Sequence, residues 1–257
     1  MTVILNEAKQ AANVIEKGEL GSKPAATLFL LGKYYRQKEH LGKQPTMEKL
    51  HAFMQQHSKN YNPALWEKLI EDISAKAAKY PLREIDSIGI TQNELDRIAT
   101  LQHQKYQTLL FTMLCYAKLY DTVSEHNNGW VNASIPELYR ISRVTVKYRN
   151  DKFLYLNEIE KNGLISFSGQ NDNLNLKVNF VDMHGAAVLQ ISDFRELGYE
   201  YLKHTGNGKF IRCSQCSRLI RQTGKNTHYC AECGQKRRLE TKRAWWEQNS
   251  QHTARLF

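Results

Sequence analysis

Apolar residues recur at helical spacing through the first third of the chain and alternate only in short stretches further on. Residues 1–20 carry a short amphipathic pattern, a helix or an arm. Pro24 stands at a helix start, and the strongly apolar run from Ala25 continues it to about Lys38. Thr46, directly after Pro45, is placed to cap a helix through Met54. Asn62-Pro63 opens another over Ala64 to Lys79, with Leu65, Trp66, Leu69, Ile70 and Ile73 at helical spacing, and Pro81 ends it. These stripes read as core, and Arg36, Lys38, Lys43 and Lys49 as a solvated face. Residues 1–80 therefore predict a helical domain without readable chemistry.

Residues 81–105 read as a connector, with a strand-like Ile85 to Ile90 and a short helix from Thr91, where Glu94 completes a capping box. Residues 106–192 are richer. A helix is predicted over Tyr106 to Tyr120, a strand at Trp130 to Ala133, and a Ser134-capped helix over Ile135 to Ile141. A turn at Ser142 to Val144 leads to a longer helix, Thr145 to Asn162, stopped by Gly163. A hairpin follows, with strands at Leu164 and Leu174 around Gly169 to Asn173. His184-Gly185 turns back an added strand, Ala186 to Ile191.

That element order resembles a winged helix-turn-helix. The resemblance implies that the second helix of the pair lies in a DNA major groove with its first residues near the bases. Thr145, Lys147, Tyr148, Arg149 and Lys152 would then face groove and phosphates, with Arg143 beside them in the turn. Asn150 has the reach for an adenine edge and Arg149 for a guanine edge, while Val146, Phe153, Leu156 and Ile159 would face the core. Gln170, Asn171 and Asn173 are uncharged and Asp172 is acidic, which argues against a wing entering the minor groove.

A Ser192-capped helix and a Gly206-Asn207-Gly208 joint occupy residues 193–209 and lead into residues 210–257. Here Cys213/Cys216 and Cys230/Cys233 form two C-x-x-C pairs with thirteen residues between them. Two such turns facing each other supply four sulfurs at the tetrahedral geometry Zn²⁺ prefers. Disulfides suit a secreted chain, which nothing else suggests, and a redox site needs one pair in a βαβ context. Four thiolates complete the shell of one zinc ion, so the site reads as closed and structural, with His228 a surface residue. Arg218 to Arg221 and Gln222 to Asn226 read as a hairpin turning at Gly224. A basic helix follows, with Lys236, Arg237, Arg238, Lys242 and Arg243 ahead of Trp245 and Trp246. The arrangement resembles the zinc-ribbon and treble-clef group of four-cysteine modules, in which the second pair often opens the final helix.

Charge sharpens this picture. The formal net charge is +10, and Lys203 to Phe257 carry twelve Lys/Arg against three Asp/Glu, nine of those ten charges. Four thiolates and one zinc ion lower the local sum by about two, and a basic tail remains. Focused positive charge suits a polyanion, because each neutralised phosphate releases counterions. No apolar run approaches the ~20 residues of a membrane span, and residues 1–20 lack a signal-peptide pattern. With metal-ligand cysteines and a single Cys115, this predicts a cytoplasmic protein.

A phosphate-binding loop, H-E-x-x-H, G-x-S-x-G and the zinc-deaminase pattern are all missing from the sequence, so no enzyme is expected. The NNGWVNAS, FSGQNDNLNLKVNF and IRCSQCSRLI stretches resemble small winged-helix, zinc-containing proteins of phages and mobile elements in low-GC bacteria, a group that implies no set activity. The fold expected is α+β and mostly helical. The function expected is nucleic-acid binding, double-stranded DNA first, with RNA compatible with the same charge. The alternative is a non-enzymatic interaction or inhibitor protein that engages a host nucleic-acid-handling or defence enzyme through the basic zinc module. Trp245 and Trp246 fit either packing on that module or a partner hot spot.

Overall fold

The computed structural model describes residues 5–124, 126–148, 150–169 and 175–253, with side chains to residue 249. It is α+β, with helix predominating. The chain divides into two compact units between Ser87 and Ile88, so the residues read as a connector fall on both sides of that division.

The smaller unit holds α1 (Glu7–Lys17), α2 (Pro24–Gln37), α3 (Lys43–His57) and α4 (Pro63–Ala77). Helix α2 packs against the other three, and Leu28, Leu31, Leu50, Met54 and Ile70 are fully buried between them. Pro24 occupies the first turn of α2, and the Asn62 side chain accepts from the Ala64 N–H to cap α4. Helix α3 starts a turn earlier than Thr46 suggests. Gly42 is its N-cap, and Pro45 sits in the first turn, where no N–H is needed. Thr46 is buried inside the helix and its hydroxyl donates to the Gly42 carbonyl at 2.8 Å. Of the stripe on α4, Ile70 and Ile73 reach the core while Leu65 and Leu69 are exposed. Buried Glu7 accepts from the Lys33 ammonium, the Arg83 N–H and the Arg83 guanidinium.

The larger unit runs β1 (Ile88–Thr91), α5 (Gln92–Ala99), α6 (Gln104–Val123), β2 (Trp130–Val131), α7 (Ile135–Ile141), α8 (Asp151–Lys161), β3 (Ile165–Phe167), β4 (Leu176–Val178), β5 (Ala187–Ile191), α9 (Leu197–His204), β6 (Phe210–Arg212), β7 (Leu219–Arg221) and α10 (Ala231–Thr253). Helix α6 is its axis. Every residue from Thr108 to Leu119 is buried, and α5, α7, α8 and α9 all touch this helix. Its polar positions are satisfied internally. Thr112 donates to the Thr108 carbonyl, and Lys118 donates to both Glu94 carboxylate oxygens at 2.8 and 2.9 Å. Glu94 also completes the capping box with Thr91.

Strand β1 starts at Ile88, later than Ile85, and pairs antiparallel with β5, Ile88 opposite Ile191. The added strand thus shares a two-stranded sheet with β1, apart from the hairpin that precedes it. The second sheet has the order β2-β4-β3, with Trp130 opposite Lys177 and Ile165 opposite Val178. The hairpin tip, residues 170–174, lies outside the described residues.

In the larger unit, the helices that follow α7 and β5 start later than in the sequence reading. Helix α8 begins at Asp151, six residues after Thr145. Arg143 adopts a left-handed conformation (φ 57°) that ends α7, and buried Val144 ties the next segment down. The β-branched run Val144-Thr145-Val146 disfavours a helical first turn, and the Asp151 carboxylate accepts the Tyr148 N–H ahead of the helix. Phe153, expected in the core, is exposed. Helix α9 begins at Leu197, not after Ser192. Asp193 folds into a local turn that accepts the Arg195 N–H at 2.9 Å, and Phe194 is buried against Tyr116. Gly198 of α9 lies so close to the turn after α7 that a Cβ there would stand 1.9 Å from the Ser142 carbonyl oxygen.

Candidate metal centre and basic helix

Strands β6 and β7 form a hairpin with Phe210 opposite Arg221 and Arg212 opposite Leu219. Its turn is the first C-x-x-C pair. The Cys213 N–H donates to the Arg218 carbonyl at 2.8 Å, the Ser217 N–H donates to the Cys213 carbonyl at 2.9 Å, and Ser217 is left-handed (φ 58°). The expected hairpin turning at Gly224 is therefore displaced by one strand. The tight sulfur-bearing turn closes the ladder instead, and residues 222–229 form the loop that returns to the second pair. Cys230 immediately precedes α10 and Cys233 lies in its first turn.

The four Sγ atoms lie within 4.8 Å of one another. Cys216 and Cys230 have their sulfurs 3.7 Å apart, too far for the ~2.05 Å of a disulfide. A tetrahedral ion bound at ~2.3 Å would hold its sulfurs about 3.8 Å apart. Backbone amides turn toward the sulfurs, the Cys230 N–H to Cys213 Sγ at 3.3 Å and the Cys233 N–H to Cys230 Sγ at 3.4 Å. Burial pushes the Cys213 thiol up, and the amides of Cys230, Cys216 and Gln215 outweigh it, so this thiol falls to about 6. Cys233 moves the other way, pushed up by burial and then by the sulfurs around it. One thiolate is comfortable here and four together need a cation, so the geometry and the donor set both fit a metal ion. The Arg195 guanidinium, held first by Asp193, also borders the Cys216 sulfur. His228 stands outside the sulfur cluster, and its carbonyl accepts the Ser214 N–H at 3.0 Å.

The module has little else inside it. Buried Cys213, Ile220 and Cys230, flanked by Ile211 and Tyr229, make up its apolar cluster. Ion pairs fasten it to α9 and the α7–α8 turn. Glu196, 3 % exposed, takes a two-pronged contact from Arg143 and lies 3.9 Å from Arg218 Nε. Arg218 donates in turn to Glu232 at 3.0 Å, and Arg212 to Glu200 at 3.3 Å. Arg143, expected beside DNA, is thus occupied by Glu196. The sequence carries only a weak signal for this strut: two acidic residues, Glu196 and Glu200, directly ahead of a basic tail.

The other residues expected at the bases lie on an irregular segment ahead of α8. Thr145 is exposed, Lys147 lies 5.1 Å over the Tyr148 ring, and Tyr148 is 61 % exposed. Asn150 is the N-cap position and makes no side-chain capping bond. Lys152 is half-buried, 5.3 Å over the Tyr139 ring. Arg149 lies outside the described residues.

Helix α10 is exposed from Gln235 to Asn249. Lys236, Arg238, Lys242 and Arg243 make no ion pair among the described residues. Arg237 stacks 4.5 Å over the Tyr229 ring and donates to its hydroxyl. Trp245 and Trp246 are 56 % and 57 % exposed and meet edge to face at 5.2 Å. Burial of the pair on the four-cysteine module is therefore not observed. Instead the pair lines a groove of about 750 Å³ between α10 and residues 226–229. No family model, curated protein or solved structure matches the chain.

Proposed function

We propose that this protein binds nucleic acid, duplex DNA in the first instance, through α10 presented by a zinc-stapled four-cysteine module. One observation carries the reading: Lys236, Arg238, Lys242 and Arg243 stand exposed on a helix and form no ion pair among the described residues, although Glu240 and Glu247 share that helix. Such cations exchange their mobile counterions for phosphates, and the released ions drive association. Four clustered sulfurs, without a carboxylate or imidazole among them, favour Zn²⁺ in a closed structural role.

The body supports the same reading. The order α6-β2-α7-α8-β3-β4 with sheet order β2-β4-β3 is that expected of a winged helix-turn-helix. On this reading the segment with Thr145, Lys147, Tyr148 and Asn150, continuing to Lys152, approaches the duplex and sets any sequence preference. A second reading draws on the exposed Trp245–Trp246 pair, an aromatic hot spot by which the module engages a host nucleic-acid-handling enzyme.

Anisotropy of a labelled duplex between roughly 50 and 200 mM salt separates the two. Binding that weakens steeply with salt is expected. Changing Lys236, Arg238, Lys242 and Arg243 to Gln should flatten the logarithmic slope by about 0.9 for each phosphate that the helix no longer neutralises. A slope unmoved by the fourfold variant removes α10 from the interface. No duplex affinity at the lower salt favours the protein-partner reading.

A further inference from the structure

The groove between residues 226–229 and α10 combines two chemistries. Tyr229, Trp245 and Trp246 supply aromatic faces, Arg237, Arg238 and Lys242 supply positive charge, and no carboxylate among the described residues lines it. Phosphates alone would use the cations and leave the rings idle. An apolar peptide would fill the rings and gain nothing from the cations. An unpaired nucleotide satisfies both, because every base has a π-face and every residue of the strand carries a phosphate. A duplex cannot, since its base faces are covered by their neighbours except at the ends. We infer that this groove is a stacking site for unpaired nucleotides of a single-stranded nucleic acid, which rests on the nucleic-acid function proposed above and narrows it.

The walls are pre-set for that use. Arg237 is pinned over Tyr229, so one cation and one ring are already oriented. The loop wall is tied to the sulfur cluster through Ser214 N–H to His228 O at 3.0 Å and Cys230 N–H to Cys213 Sγ at 3.3 Å. The other wall, α10, springs from the same cluster at Cys233. The edge-to-face Trp pair offers two differently inclined surfaces. A volume of about 750 Å³ lies within the roughly 300–1,000 Å³ of ordinary small-ligand sites.

The test uses the full chain with its metal and one sequence of about 12 nucleotides as single-stranded DNA, single-stranded RNA and blunt duplex. Either single strand should bind and quench tryptophan emission, whereas the duplex, whose base faces are covered, should bind without that quenching. Trp245→Ala and Trp246→Ala should each weaken single-strand binding about five- to a hundredfold and leave duplex affinity unchanged. Trp245→Phe and Trp246→Phe should restore most of the loss. Metal content and far-ultraviolet circular dichroism confirm that the variants fold. If the Ala variants lose single strand and duplex in equal proportion, or lose neither, the stacking site is overturned while phosphate binding by α10 stands. If wild type binds none of the three probes, the nucleic-acid function falls and the inference with it.

Discussion

The smaller unit and the C-terminal module solve the problem of staying folded in opposite ways. In the first, four helices bury a continuous set of Leu, Met, Ile and Phe side chains, and the charges of Lys33 and Glu7 meet inside it. In the second, buried Cys213, Leu219, Ile220 and Cys230 and their few neighbours stand in for a core, and the cations Lys236, Arg238, Lys242 and Arg243 of α10 are exposed without ion-pair partners among the described residues. A domain that small cannot draw its stability from apolar burial. Freed from core packing, its helix can instead be given over to charge. If a metal ion ties the four sulfurs together, the module needs little apolar core and the faces of its helix can stay exposed.

The largest expected effect breaks that contrast directly. Chelation of the metal, or Cys230→Ser, should unfold residues 210–253 while amide exchange in α1 to α4 stays protected. Binding energies of roughly 10–16 kcal/mol for structural zinc make the loss close to complete. Metal analysis should return one ion per chain before chelation. Protection in α10 and the β6–β7 hairpin that survives metal removal would end the staple argument.

Next in size is the buried pair of the smaller unit. Lys33→Met leaves the Glu7 carboxylate without its main partner and should cost about 3–5 kcal/mol of that unit's stability. Burial pushes Glu7 up, and Lys33 and the Arg83 contacts more than offset it, so the folded group ionises below its ordinary value. The sign follows: a depressed carboxyl contributes stability above its unfolded pKa and loses it as pH falls through the folded one. Denaturant midpoints of the wild type should therefore drop on the acid side of the ordinary carboxylate range. Glu7→Gln should be less stable and flatter with pH, and an equally steep acid limb in that variant would assign the loss elsewhere.

How much of the fold is legible in the sequence depends on how local each cause is. Asn62, Ser134 and the Thr91–Glu94 box mark helix starts from within a few residues, and all three cap as expected. The starts at Lys43, Asp151 and Leu197 are hidden, because Gly42, a left-handed Arg143 and an Asp193 turn decide them. The pairing of β1 with β5 is out of reach, since Ile88 and Ile191 carry no mutual signal. For the metal centre, spacing alone picks out the four cysteines that cluster. The groove is not readable, because it needs Tyr229 and the two tryptophans on facing walls of a loop and a helix.

The smallest expected effect tests the fastening between module and body. Glu196 gathers Arg143 and approaches Arg218, and Arg218 continues to Glu232 at the start of α10. Glu196→Gln keeps the shape and removes the charge, leaving two guanidinium groups against a neutral amide. Charged hydrogen bonds of this kind contribute roughly 1.5–3 kcal/mol each, and Arg143 and Arg218 retain partial solvation that lowers the figure. The variant should fold and keep its metal, with faster amide exchange confined to β6, β7 and α9. If α10 and the body act on one ligand together, the looser joint should also weaken duplex binding without changing the salt slope, because the same phosphates stay neutralised. A changed slope would instead mean that Arg143, released from Glu196, reaches a phosphate itself.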